Sequence, residues 1–268
     1  MRIACSTSLF ADRSVQQALR GVSELGFDLV DLLLIDNWAH VDPSELAADW
    51  EGTARRVQAL LDETGLGVIA LNCGFSAPLH ERTADARKTR RRESAAVARF
   101  ADLHGVSVAA VQPALGVQAV PEQEQFDASV ASMRELEQTA AGNGVTFALE
   151  CHARSAFEQL PEALRLVEQA PWLPLVYDPS HFVMQGFELR ETRPLLERAA
   201  HVHLRDAAPR AMQAPLGEGS VDFDWLSGAL QDCGYRGDIS IEYLPATGFD
   251  AADSVRRLRD YLRERLGR

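Results

Sequence analysis

With 39 acidic against 27 basic residues in a chain of 268, the formal charge is −12, which repels polyanions and argues against nucleic acid or an anionic membrane surface as a partner. The 46% apolar and 25% charged fractions are those of a folded chain with a large core, which excludes a disordered one. No run of about 18 apolar residues is available to span a bilayer, and Met1-Arg-Ile-Ala-Cys5 lacks the apolar stretch of a secretory leader, so a cytoplasmic location is expected. Cys5, Cys73, Cys151 and Cys233 have no metal-type spacing, in keeping with a reducing compartment.

Apolar, β-rich segments alternate with helical ones throughout. The first strand, Ile3 to Ser6, leads to a helix from an N-cap at Ser14 to Leu25, closed by Gly26. Leu29 to Ile35 is the second strand, apolar except for Asp31, and one long helix is expected from Ser44 to Thr64. Val68 to Leu71 and Val106 to Val111 follow as the third and fourth strands, with helices over Ala84–His104 and Glu122–Ala141. The fifth, Val145 to Glu150, precedes a short helix over Pro161–Ala170, and the sixth, Leu175 to Tyr177, must end at Asp178 because Pro179 cannot donate to a sheet. A helix over Glu191–Arg198, a seventh strand from His201 to Arg205, a helix over Phe223–Cys233, an eighth strand from Ile239 to Glu242 and a helix over Ala251–Leu266 complete the chain.

Eight strand-helix units with no long unpatterned linker predict an α/β protein built as one (β/α)₈ TIM barrel over residues 1–268, a length that suits the roughly 250 residues such a barrel needs. The competing open doubly wound sheet lacks its signature. Cys5-Ser-Thr-Ser8, not a Gly-rich turn, follows the first strand.

In a barrel, alternate strand residues point inward and those at the C-terminal ends line the mouth. Four consecutive late strands finish in metal-capable side chains, Glu150, Asp178, His203 and Glu242. Each taken alone has a plainer reading as a boundary residue or a satisfied core histidine. Together, three carboxylates behind apolar runs would repel one another or be forced to protonate, and a divalent cation removes that conflict. Three oxygens and one imidazole favour Mn²⁺ or Mg²⁺, with Co²⁺, Fe²⁺ or Zn²⁺ as substitutes.

The motifs Ala148-Leu-Glu150-Cys-His152, Tyr177-Asp-Pro-Ser-His181, His201-Val-His-Leu-Arg-Asp206, Pro215-Leu-Gly-Glu-Gly219 and Gly237-Asp-Ile-Ser-Ile-Glu242, in that order, resemble the sugar-phosphate isomerase/epimerase superfamily of xylose-isomerase-like TIM barrels. The resemblance covers about Val145 to Tyr243, and the first half of the chain matches only in rhythm. It implies metal ligation by Glu150, Asp178, His203 and Glu242, and substrate contacts from His181 and Arg205. In the epimerase branch the two glutamates, here Glu150 and Glu242, move the substrate proton. In dehydratase branches the base is a histidine two residues after the first glutamate, here His152. The epimerases' substrate-binding glutamate, six residues after the first ligand, is replaced by Ala156.

A metal bound to the oxygens of a hydroxy-ketone acidifies the carbon between them and stabilises the resulting enediolate. The expected function is therefore a divalent-metal-dependent isomerase or epimerase of a small keto-sugar or cyclitol. The alternative is a lyase dehydrating an inosose or 3-dehydroshikimate-like substrate through His152. A homo-oligomer is compatible with either. His201 shares the strand parity of His203 and competes with it as ligand. Arg205 could instead be spent on Asp206 or Glu218, and Trp38 and Phe75 are either an apolar wall for a sugar ring or core packing. The Arg87–Arg92 run is expected on a solvated helix face, and His40 and His80 in solvated loops.

Overall fold

A computed structural model of the chain describes residues 1–267. Its strands are β1 (Ile3–Ser6), β2 (Leu29–Ile35), β3 (Ala39–His40), β4 (Gly67–Gly74), β5 (Val108–Val111), β6 (Thr146–Glu150), β7 (Leu175–Tyr177), β8 (Ala199–Leu204) and β9 (Ile239–Ile241). All but β3 pair in parallel in chain order, and β9 returns to β1 through Ile239 opposite Ile3, closing the expected eight-stranded barrel. The short β3 adds antiparallel to the end of β2 and has no counterpart in the sequence reading.

The helices are α1 (Val15–Glu24), α2 (Pro43–Ala48), α3 (Trp50–Thr64), α4 (Ala84–His104), α5 (Glu122–Ala140), α6 (Leu160–Gln169), α7 (Ser180–Val183), α8 (Arg193–Leu196), α9 (Phe223–Asp232) and α10 (Ala251–Leu266). Ser14 starts α1 with a reciprocal capping box to Gln17, and Gly105 ends α4 at φ 65°, a conformation that costs glycine little. The single helix expected over Ser44–Thr64 is two. The chain turns at Asp49, whose carboxylate accepts the Gly52 N–H and caps α3, so the break leaves that donor satisfied. The helix expected over Glu191–Arg198 is likewise split, into a 3₁₀ turn over Leu189–Thr192 and the one-turn α8.

Outward strand residues and the inner helix faces form one large core that includes Leu19, Leu34, Val57, Phe100, Leu136 and Leu258. Within the barrel, small side chains form separate clusters, Ala4 with Ala70 and Ala110 with Ala148 and Val176. Above them the inward positions turn polar, and Asp31, Asn72, Glu150, His201, His203 and Ser240 are all buried.

The arginine run does not lie on a solvated face throughout. Arg90 is 1% exposed and donates to the carbonyls of Pro78 (2.8 Å) and Glu81 (3.2 Å) and to Ser132 Oγ (2.9 Å), while Arg82 and Arg87 pair with Glu135. The run ties the loop after β4 to α5. His40 is not solvated either: its ring nitrogens lie 3.0 Å from Thr7 Oγ1 and from the Phe10 carbonyl, and burial pushes its pKa down against that carbonyl contact. His80 is half-buried, its Nδ1 shielded from solvent. No described helix is long and apolar enough to cross a membrane.

Candidate metal centre

The strand ends deliver their acids as the alternation requires. Glu150 ends β6 opposite Val176, Asp178 follows β7 directly, His203 lies on β8 opposite Ser240, and Glu242 follows β9. One ligand atom from each of Glu150, Asp178, His203 and Glu242 lies within 4.8 Å of every other, and all four residues are buried. His203 Nδ1 is the hub, 3.1 Å from Glu150 Oε1 and 3.3 Å from Glu242 Oε2. Glu150 Oε2 has no hydrogen-bond partner at all. An acceptor buried without a donor costs free energy unless something outside the chain completes it. Three hard oxygens and one nitrogen with such an open lobe fit a divalent cation.

Among the described residues, Arg205 is the arginine that pairs with the acids at the mouth. Its Nη2 lies 2.6 Å from Asp178 Oδ2 and its Nη1 3.3 Å from Glu242 Oε2, while Nη1 also donates to the Glu242 carbonyl and Nε to Ser180 Oγ. It is therefore not spent on Asp206 or Glu218. Asp206 instead accepts the backbone N–H groups of Gly217 (2.8 Å) and Gly219 (3.1 Å), which gathers the Pro215–Gly219 loop. Burial alone would raise Glu242, but the charges of His203 and Arg205 outweigh it and hold the carboxyl at about 2. Glu242 is ionised at neutral pH.

The remaining predicted histidines divide by depth. His201 sits one layer below His203, with Nε2 2.7 Å from Ser240 Oγ and its pKa pushed down to about 4, first by burial and then by His203. It lies outside the four-residue cluster. His181 lies not in a loop but in the one-turn α7, where its Nδ1 accepts the Ala153 N–H at 3.3 Å and its Nε2 lies 3.3 Å from Arg205 Nη2. The same Nε2 is 3.5 Å from Asp178 Oδ2 and 3.9 Å from Glu150 Oε1. Burial, with the charges of His152 and Arg205, lowers the His181 pKa well below the usual value, so the ring is neutral. His152 lies against it with ring centres 4.0 Å apart and the rings tilted by 44°, and its Nδ1 donates to the Ala153 carbonyl at 2.6 Å, which leaves Nε2 free to accept. Of the two aromatics after β2 and β4, Trp38 is 50% exposed whereas Phe75 packs edge-on to Phe147, so only Trp38 is free of the core.

The xylose isomerase-like TIM barrel family model matches residues 19–265. The chain belongs to this family. L-ribulose 3-epimerase of Mesorhizobium japonicum is 27% identical over 245 residues, spanning 87% of this chain and 76% of that protein. Among solved structures, apo 3-keto-D-glucoside 4-epimerase YcjR of E. coli superposes with a TM-score of 0.74 at 21% identity, covering 98% and 99% of the two chains. A xylose isomerase-like TIM barrel protein from Mycobacterium smegmatis in complex with magnesium superposes with a TM-score of 0.77 at 19% identity, covering 99% and 97%. At those identities the structures establish the shared fold.

Two mouth residues of this xylose isomerase-like barrel were not singled out in the sequence. Asn72, at the end of β4, donates to Glu242 Oε1 at 2.9 Å. Asp31, in the middle of β2, lies 3.0 Å from His203 Nε2. A polar tip in Asn72-Cys-Gly and a lone acid inside Leu29–Ile35 were the available signals. Neither could be assigned until closure of the barrel set β2 and β4 across the interior from β8 and β9.

Proposed function

We propose that this chain is a divalent-metal-dependent epimerase of a small keto-sugar, with Glu150, Asp178, His203 and Glu242 holding the ion. The observation that carries this reading is their meeting as a buried set of three carboxylates and one imidazole with Glu150 Oε2 unpartnered. Manganese or magnesium suits the oxygen-rich donors best. When bound, the ion polarises the substrate carbonyl and lowers the cost of the negative charge left when a neighbouring C–H proton departs.

The chain's own residues do the rest. Glu150 Oε2, free of hydrogen bonds, is the atom placed to accept the proton on one face. Glu242 is held between Asn72 and Arg205, so its orientation on the other face is fixed; whichever of the two glutamates returns the proton enters the turnover protonated, and exchange with solvent resets the pair afterwards. Neutral His181, held at Nδ1 by the Ala153 N–H, is placed beside Glu150 and Asp178 as a substrate contact. Arg205 shares its single positive charge between Asp178 and Glu242, which lowers the cost of keeping those two acids ionised when no cation is bound. The relationship to L-ribulose 3-epimerase favours a 3-epimerisation of a ketose.

A specific observation supports a second reading. His152 has its Nε2 lone pair free beside Glu150, and Ala156 stands where the epimerases have a substrate-binding glutamate. A lyase would use that lone pair as the base on an inosose or dehydroshikimate-like substrate. The test is deuterium incorporation from heavy water into L-ribulose, other ketoses, inososes and dehydroshikimate, with Mn²⁺ or Mg²⁺ supplied. Deuterium at carbon 3 of a ketose together with its epimer is the expected result, and a dehydrated product lost in His152→Ala would establish the lyase instead. No exchange into any of these substrates by metal-loaded protein overturns both.

A further inference from the structure

Asp31 is the one charged residue in Leu29–Ile35, is fully buried, and projects into the polar layer beneath the mouth. Burying a carboxylate without donors is strongly unfavourable, so an acid at this position calls for a partner that makes it worth keeping. Its Oδ2 is 3.0 Å from His203 Nε2 and 3.8 Å from His201 Nε2. His201 Nε2 is already engaged with Ser240 Oγ at 2.7 Å. Apart from the close contact between Asp31 and His203, neither Asp31 oxygen nor His203 Nε2 has a hydrogen-bond partner among the described residues. The opposite nitrogen of the same ring, Nδ1, faces Glu150 and Glu242.

We propose that Asp31 is a positioning residue for the metal centre. Its carboxylate accepts the Nε2 proton of His203, fixing the ring in the tautomer whose Nδ1 lone pair faces Glu150 and Glu242 and raising the basicity of that nitrogen. An imidazole has one proton to place when neutral, and a carboxylate behind one nitrogen decides which nitrogen is left to coordinate. Asp31 comes from β2, which neighbours none of the strands that carry the three acids, so it reaches the His203 ring across the barrel interior. The inference rests on the ligand set proposed above. It adds to that set a residue that touches neither ion nor substrate.

The experiment compares wild type with Asp31→Asn, which keeps the shape and removes the charge. Mn²⁺ affinity and stoichiometry are measured by equilibrium dialysis, and thermal unfolding of both proteins is measured without metal. Wild type is expected to bind one ion per chain, and Asp31→Asn to bind it about 10- to 100-fold more weakly while unfolding no earlier than wild type without metal. In Zn²⁺-loaded, ¹⁵N-histidine-labelled wild type, the His203 proton is expected on Nε2. That last measurement needs no variant and stands even if Asp31→Asn does not fold. A proton on Nδ1, or an Asp31→Asn affinity within twofold of wild type, overturns the role of Asp31 while leaving the metal centre intact. Two ions per chain, the second lost in His201→Phe, also overturns it, since Asp31 would then be a ligand with His201 and His203. Wild type that binds no divalent ion removes the metal centre and the role of Asp31 together.

Discussion

Strands β6 to β9 bring three carboxylates, a histidine and an arginine to one mouth, whereas β2 and β4 bring Asp31 and Asn72 beneath and beside them. In the later half, side chains face one another over unbalanced charge: Glu150 Oε2 is unpartnered, and Arg205 divides itself between Asp178 and Glu242. In the earlier half the polar groups reach across to the later half, Asp31 against His203 and, at longer range, His201, and Asn72 against Glu242. On the proposed reading, one half supplies the groups that act on a ligand, and the other supplies contacts that hold those groups still. The division also explains why the earlier half has so little motif content. A supporting contact can be made by any residue of suitable shape, while ligation and proton transfer restrict the residue type.

That comparison can be broken most directly at Glu150. Glu150→Gln preserves the volume but replaces a basic carboxylate by a neutral amide, so proton exchange into substrate should fall by about a thousandfold, read as deuterium uptake, while the metal-free protein keeps its unfolding midpoint. Uptake within tenfold of wild type would mean that the later half does not carry the chemistry. Arg205→Met is expected to have the next largest effect, on stability rather than exchange. It strands Asp178 and Glu242 as buried, uncompensated acids, at a cost of about 3–5 kcal/mol in urea unfolding without metal, and added Mn²⁺ should recover part of the loss.

In the earlier half the effects should be smaller and of a different kind. Asn72→Ala takes one donor from Glu242, and a hydrogen bond to a charged group is worth about 1.5–3 kcal/mol, so turnover should fall by roughly ten- to a hundredfold with metal affinity changed less. Loss as large as that of Glu150→Gln would move Asn72 from support to chemistry. Farthest from the mouth, His104 at the end of α4 packs on Phe100 with ring centres 4.4 Å apart, and burial lowers its pKa. The folded protein therefore holds His104 neutral where the unfolded chain takes up a proton. Its contribution to stability is complete above about pH 6.5 and is lost as the pH falls through the lower folded value. His104→Gln should flatten the fall in stability on the acid side of pH 6.5 and leave proton exchange at neutral pH unchanged, as paired urea titrations and exchange assays would record.

The sequence by itself determined the barrel and the four residues of the cluster. Strand ends were readable because proline, glycine and a carboxylate after an apolar run each stop a strand for a local reason, and equivalent ends of consecutive parallel strands must lie side by side. It also supplied the order of motifs by which the family is recognised. What it could not supply were contacts between residues far apart in the chain. The break at Asp49, the burial of Arg90 against Ser132, the pairing of Arg205 with Asp178 and Glu242 rather than with Asp206, and the approach of Asp31 to His203 are all set by closure. Local propensity fixes where a strand ends, whereas only the return of β9 to β1 fixes which polar groups then share a sealed interior and which of them must answer another's charge.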